Sequence, residues 1–122
     1  MTIDERTSGG VTILRVHGRM TVEEQGDVHV VNTVRRLLRD GQKHVLVDMA
    51  DVPYLDTTGL RDAVESYITS RRQGGAFKLL SVTPRVRHLL EITRLSTVIE
   101  CYEAEADAIE NFAQTAQPDG NR

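Results

Sequence analysis

The apolar residues of this chain fall into short blocks whose period changes from one block to the next. Val11-Thr12-Ile13-Leu14-Arg15-Val16 is rich in β-branched and aliphatic residues that suit a pleated strand. Ser8-Gly9-Gly10 separates it from Thr2-Ile3-Asp4, so the chain is predicted to begin with a hairpin. Thr21 then stands three residues before Glu24, the spacing of a capping box, and Val30, Val34, Leu37 and Leu38 recur at helical intervals until Gly41. An amphipathic helix is expected there, with Gly26 weakening its first turns.

Val45, Leu46 and Val47 are consecutive rather than alternating, as in a strand covered on both faces. Leu60, Val64, Tyr67 and Ile68 make the apolar stripe of the next predicted helix, which ends at Gly74-Gly75. Ala76 to Val82 reads as another buried strand. Thr83-Pro84 opens a helix as N-cap and first-turn proline, with Val86, Leu89 and Leu90 on its apolar side. Residues 97–103, TVIECYE, suggest a last strand, and Ala104 to about Ala113 a last helix carrying Ala108, Ile109 and Phe112. This alternation of strand and helix is most simply satisfied by parallel strands joined through right-handed helical crossovers, a small α/β domain. The domain is expected over residues 1–112, with 113–122 a loose C-terminal tail that has little to bury.

Composition narrows the function classes. A chain of 122 residues can bury a core without metal or disulfides, and Cys101 is its single cysteine. A formal net charge of −3 gives no reason to expect nucleic acid or an anionic membrane as partner. No apolar run approaches the length of a membrane span and the first ten residues lack signal-peptide features, so the cytoplasm is the default location.

The stretch that invites a functional question is Tyr54-Leu55-Asp56-Thr57-Thr58-Gly59-Leu60. It follows the Val45–Val47 strand, at the end of an α/β sheet where ligands and functional loops collect. Asp56 is a good N-cap, able to accept the N–H of Thr58 or Gly59 and suited to the positive end of the helix dipole. Gly59 in the first turn forgoes about 1 kcal/mol of helix propensity relative to alanine, which makes sense where another backbone must come close. Thr57, at the first helical position, sets its hydroxyl near free N–H groups that would receive a phosphate. Residue types alone leave two readings open, a well-capped helix and a hydroxyl presented for modification.

The segments HVLVDMADVPYLDTTGL and GGAFKLLSVTPRVRHLLEITRL, in the frame of residues 11–112, resemble the STAS domain of bacterial anti-sigma factor antagonists. In that family a strand leads into Asp-Ser-Ser-Gly-Leu or Asp-Ser-Thr-Gly-Leu, and a later Ser-Pro opens the third helix. The resemblance implies a STAS fold, with a small, mixed and mainly parallel sheet of about four to five strands and about four helices. It also implies a non-enzymatic switch without cofactor or metal. The unphosphorylated antagonist binds an anti-sigma factor that is also a serine/threonine kinase and so frees the sigma factor. Phosphorylation of the hydroxyl after the aspartate breaks that complex, and a PP2C-type phosphatase restores it. Carried onto this chain, the acceptor is Thr57, with Thr58 the lesser candidate. The partner-binding residues are Asp56, Thr57, Thr58, Gly59 and Leu60, together with Thr93, Arg94 and Leu95 after the third helix. Thr57 stands where serine is usual, and Thr21 where the family tends to have an acidic residue, with Glu23 and Glu24 close by. STAS domains also serve as unmodified interaction subunits of stress-signalling scaffolds or lipid-transport complexes, which is the alternative function.

Other candidates are weaker. His17, His29, His44 and His88 show no paired metal-ligand spacing. Cys101 reads as a small buried hydrophobe. Arg35-Arg36-Arg39 and Arg71-Arg72 fall near helix C-termini, where they complement the dipole, with a phosphate-binding patch as the lesser reading. No glycine-rich phosphate loop or nucleophile elbow is present, and no general base stands at a recognisable spacing from Asp56 or the threonines, which argues against an independent enzyme.

Overall fold

The computed structural model describes residues 1–116. Five strands form one sheet in chain order: β1 (Thr2–Ser8), β2 (Val11–His17), β3 (His44–Asp51), β4 (Ala76–Leu80) and β5 (Cys101–Tyr102). The β1–β2 pair is the antiparallel hairpin expected at the start, and β2, β3, β4 and β5 are parallel to one another. Because every parallel crossover steps the same way along the sheet, a right-handed connection puts each intervening helix on one face. Those helices are α1 (Val22–Gln25), α2 (Val30–Arg39), α3 (Thr57–Arg72) and α4 (Pro84–Ile92). Val34, Leu38, Val86 and Leu90 from α2 and α4 pack with Leu14, Val45, Val47 and Leu79 of the strands in the main core. Among the described residues only α5 (Glu105–Ala116), which follows the last strand, is free to take the other face. Its Ala108 and Phe112 meet Val11, Ile13, Leu46 and Leu80 there, completing the two-sided burial inferred from the unbroken apolar run of β3.

Three expectations need correction. The helix foreseen from Thr21 to Gly41 is two helices, because Gly26 adopts a positive φ of 56° and the chain resumes only at Val30. The strand foreseen at 97–103 is reduced to Cys101–Tyr102, because Leu95–Thr97 close a 3-10 turn and Val98 stays in the right-handed helical region with its side chain exposed. The apolar stripe of α3 is also displaced. Its buried face consists of Gly59, Asp62, Ala63, Ser66 and Ser70, while Leu60 and Tyr67 flank it, half-buried against the main core, and Ile68 is 40% exposed. Farther on, α5 runs to Ala116, past the expected start of the tail, whose residues 117–122 lie outside the described residues.

The reason for the small and polar face of α3 is Asp62, which is only 3% exposed. Helix α2 has no side-chain cap of its own at His29. Asp62 supplies one from the neighbouring helix: its Oδ2 accepts from Val30 N at 2.7 Å and its Oδ1 from Val31 N at 2.8 Å. The buried Gln25 side chain donates to the same carboxylate at 2.9 Å. Burial pushes the Asp62 carboxyl above the usual carboxylate range, against the opposing pull of these donors.

Candidate functional site

The carboxyl-end rim of the sheet is built around Asp56. After β3 the chain turns, and Leu55 forms an isolated parallel bridge with Met20, which follows β2. Met20 N donates to the Tyr54 carbonyl at 3.1 Å and Asp56 N to the Met20 carbonyl at 3.2 Å, so two connecting segments are clasped side by side. Asp56 has extended backbone angles and caps α3 in the expected way, its Oδ1 accepting from Gly59 N at 3.1 Å. Its Oδ2 accepts from Val22 N, the first residue of α1, at 3.0 Å. One carboxylate therefore starts two helices that lie far apart in sequence. These backbone donors, Val22 first, hold the Asp56 carboxyl below its usual range, so the rim carries a fixed negative charge.

The role foreseen for Gly59 is realised here. A Cβ on Gly59 would sit 2.1 Å from the Met20 carbonyl oxygen, a backbone atom that is itself held by Asp56. No other residue fits without moving the clasp. This packing leaves the two threonines in different surroundings. Thr57, the first residue of α3, is exposed at the rim. Thr58 is half-buried and turned toward a cleft of about 290 Å³ between α2 and α3, which Arg35, Arg61, Asp62 and Glu65 also line. Leu60 packs against the main core beneath them.

The residues beside this rim realise only half of the predicted capping box. Thr21 Oγ1 accepts from Glu24 N at 3.3 Å and caps α1, but the Glu24 carboxylate turns back to Arg19, accepting its N–H at 3.0 Å. Thr21 and Glu24 are thus both engaged at the start of α1, while Glu23, the other acid near the expected position, is exposed. The other foreseen contact group, Thr93, Arg94 and Leu95, is not brought to the site. Helix α4 starts at the rim, where Thr83 Oγ1 donates to the Val52 carbonyl at 3.1 Å and Arg85 lies 4.4 Å over the Tyr54 ring. It then runs away for nine residues. At its far end Arg94 takes a left-handed conformation (φ 64°), and the turn that follows sets Thr97 and Val98 beside Tyr67 and Arg71 in the last turns of α3.

Val22 and Arg85, also on the rim, were not singled out from sequence. Val22 is 65% exposed although its N–H is tied to Asp56, and Pro84, Arg85 and Tyr54 extend the same surface. The tie from Val22 to Asp56 spans 34 residues and has no local signature. Only the rule that Thr-Val-Glu-Glu opens a helix hinted that Val22 N–H needed a partner. The remaining candidates are placed as structural groups. His17 lies between Asp4 and Asp51 at 2.8 and 2.9 Å, and His44 stacks on Phe112 with centroids 5.4 Å apart. Cys101 is half-buried, and burial pushes its thiol up and away from reactivity.

Comparison with known proteins decides what kind of domain carries this rim. The family model described as the STAS domain matches residues 2–108. The chain belongs to the STAS domain family. It is similar to the anti-sigma F factor antagonist of Paenibacillus polymyxa, 25% identical over 82% of this chain and 85% of that one. The crystal structure of an anti-sigma factor antagonist from Mycobacterium paratuberculosis superimposes on this STAS domain with a TM-score of 0.79 at 18% identity, covering 92% and 93% of the two chains. The Bacillus cell fate determinant SpoIIAA in its phosphorylated form aligns with a TM-score of 0.67 at 12% identity, over 90% and 98%. These likenesses show a shared fold, the five-stranded mixed sheet with its four long helices. Among the described residues of this STAS domain, no helix is long and apolar enough to cross a membrane.

Proposed function

We propose that this STAS domain is an anti-sigma factor antagonist whose partner is an anti-sigma factor with serine/threonine kinase activity, and that phosphorylation of Thr57 switches the complex off. The observation that carries the reading is the exposed Thr57 hydroxyl at the start of α3, on a backbone clasped to Met20 and Val22 through Asp56. A kinase must reach the hydroxyl, which Thr57 allows and half-buried Thr58 resists. The domain contributes no catalysis of its own. In the partner's active site the Thr57 Oγ1 forms a bond to the γ-phosphorus of ATP as the bond to ADP breaks, and the hydroxyl proton passes to the kinase's base.

The phosphate adds nearly two negative charges beside the ionised Asp56. The fold tolerates them, since they lie outside the core at the positive end of a helix. A docked partner does not, because like charges facing each other across an interface cost several kcal/mol, an affinity loss on the order of a hundredfold or more. The exposed Val22 and the Arg85–Tyr54 stack extend the surface on which the unphosphorylated form docks. A PP2C-type phosphatase completes the cycle in the cytoplasm.

The capping role of Thr21 and the engagement of Glu24 with Arg19 favour a second reading, an unmodified interaction subunit of a scaffold or transport complex, because the position where this family tends to have an acid holds a hydroxyl already used as a cap. Substitution separates the two. In a co-purification with its anti-sigma partner, a regulated antagonist retains binding as Thr57→Ala and loses it as Thr57→Asp. Equal binding by both variants, with loss on Leu60→Ala, assigns the domain to the second reading.

A further inference from the structure

Arg61 stands four residues after Thr57 on α3, so the two side chains share one face of the helix. Helical side chains lean toward the N-terminus, so the Arg61 guanidinium, which lines the mouth of the α2–α3 cleft beside Thr58, has the first turn of α3 within its reach. Arg61 is exposed, and among the described residues no hydrogen bond or ion pair engages it. Its nearest acid along the helix, Glu65, is one turn farther on, in the weaker orientation for an intrahelical pair. Asp62 is occupied with Val30, Val31 and Gln25. Arg35, on the facing wall of the cleft, already donates to Asn32 Oδ1 at 3.2 Å. A long and exposed cation thus stands unpaired one turn from the proposed acceptor.

We propose that Arg61 is the receptor for the phosphoryl group of phosphorylated Thr57, an inference that rests on the reading of Thr57 given above. Two guanidinium N–H groups can donate to two phosphate oxygens while the remaining oxygen faces the α3 N-terminus. The pair holds the phosphate against the helix, favours its dianion, and shields it from a phosphatase. It also withdraws Arg61 from any contact it makes with a docked partner, so the modification changes the surface at two positions one turn apart.

The test uses full-length protein into which phosphothreonine is introduced at position 57 during translation, so that no kinase is needed. Phosphorus NMR then follows the second ionisation of the phosphate, which lies near pH 6 for a free phosphothreonine. Arg61→Ala should raise the midpoint by about half a pH unit relative to the otherwise unchanged protein, with Arg61→Lys in between, since an ammonium keeps charge but loses the fork. Arg35→Ala should leave the midpoint within about 0.2 unit of its original value. An unchanged midpoint in Arg61→Ala, or a larger shift in Arg35→Ala, overturns the proposal. Because the phosphate is installed, such a failure leaves the assignment of Thr57 as the natural acceptor untouched, and failure of a kinase to modify Thr57 leaves the pairing of Arg61 with an installed phosphate intact.

Discussion

Asp56, the N-cap of α3, and Asp62, within that helix, perform the same local task in opposite surroundings. Each carboxylate reaches out of its own segment to satisfy the first N–H groups of another helix, Asp56 that of α1 and Asp62 those of α2. Asp56 does this at the open rim, where donors outweigh burial and its carboxyl is held low. Asp62 does it in the interior, where burial outweighs three donors and its carboxyl is pushed up. The interior carboxylate fixes how α2 and α3 pack. The rim carboxylate fixes how the threonine beside it is displayed, and its permanent charge is part of what a phosphate would reinforce.

The comparison breaks most visibly at the interior. Asp62→Ala strands two backbone donors and the Gln25 amide in a buried site, a loss of about 4 kcal/mol read from the midpoint of denaturant unfolding. Asp56→Ala, whose donors can turn to water, should lower the same midpoint by less than half as much. Gly59→Ala strikes the clasp between the two regions and should cost about 3 kcal/mol, since the new methyl must displace the Met20 backbone. If Gly59→Ala proves neutral, the clasp is looser than its geometry implies.

The pH dependence of stability sharpens the contrast through opposite signs. The depressed Asp56 contributes stability that is present above its unfolded value near 3.9 and is lost as the pH falls through its lower folded value. The elevated Asp62 contributes stability that is full below that unfolded value and is lost as the pH rises through its higher folded value. In urea titrations across the acid range, Asp56→Asn should flatten the acid-side fall, and Asp62→Asn should remove a decline on the higher-pH side. Like slopes in both variants would refute the division between rim and interior. The smallest effect is expected far from either carboxylate. Arg94→Gly relieves a left-handed backbone and should stabilise the fold by about 0.5–1 kcal/mol without altering partner binding through the rim.

How much of this was legible in the sequence depended on the range of the interaction. The hairpin, β3, β4, the Thr83-Pro84 helix start and the apolar side of α5 follow from local composition, and the structure realises them. The cap from Asp56 to Gly59 and the close approach at Gly59 could likewise be read from a single turn, because both are consequences of residue type at a helix start. The contacts that cross between elements were not readable. Periodicity had assigned the buried face of α3 to Leu60, Val64, Tyr67 and Ile68, whereas the bonds from Val30 and Val31 to Asp62 centre it on Asp62, leaving Leu60 and Tyr67 half-buried at its flank and Ile68 exposed. The β-prone run 97–103 failed as a strand because Arg94 in the left-handed region and the following 3-10 turn spend those residues on reversing the chain. The length of α4, which starts at the rim, sets Thr93 to Leu95 at its far end, although family resemblance had grouped them with Thr57.

The central claim is that one exposed hydroxyl on the rim decides whether a partner stays bound. Its most direct test is to incubate the protein with ATP and the kinase-type anti-sigma factor of the same genome, map the phosphate by mass spectrometry, and measure the affinity of the purified modified form. The account predicts a single phosphate on Thr57 and binding weakened by about a hundredfold or more. Phosphate on another residue, or a Thr57-phosphorylated protein that binds as tightly as the unmodified one, would contradict it.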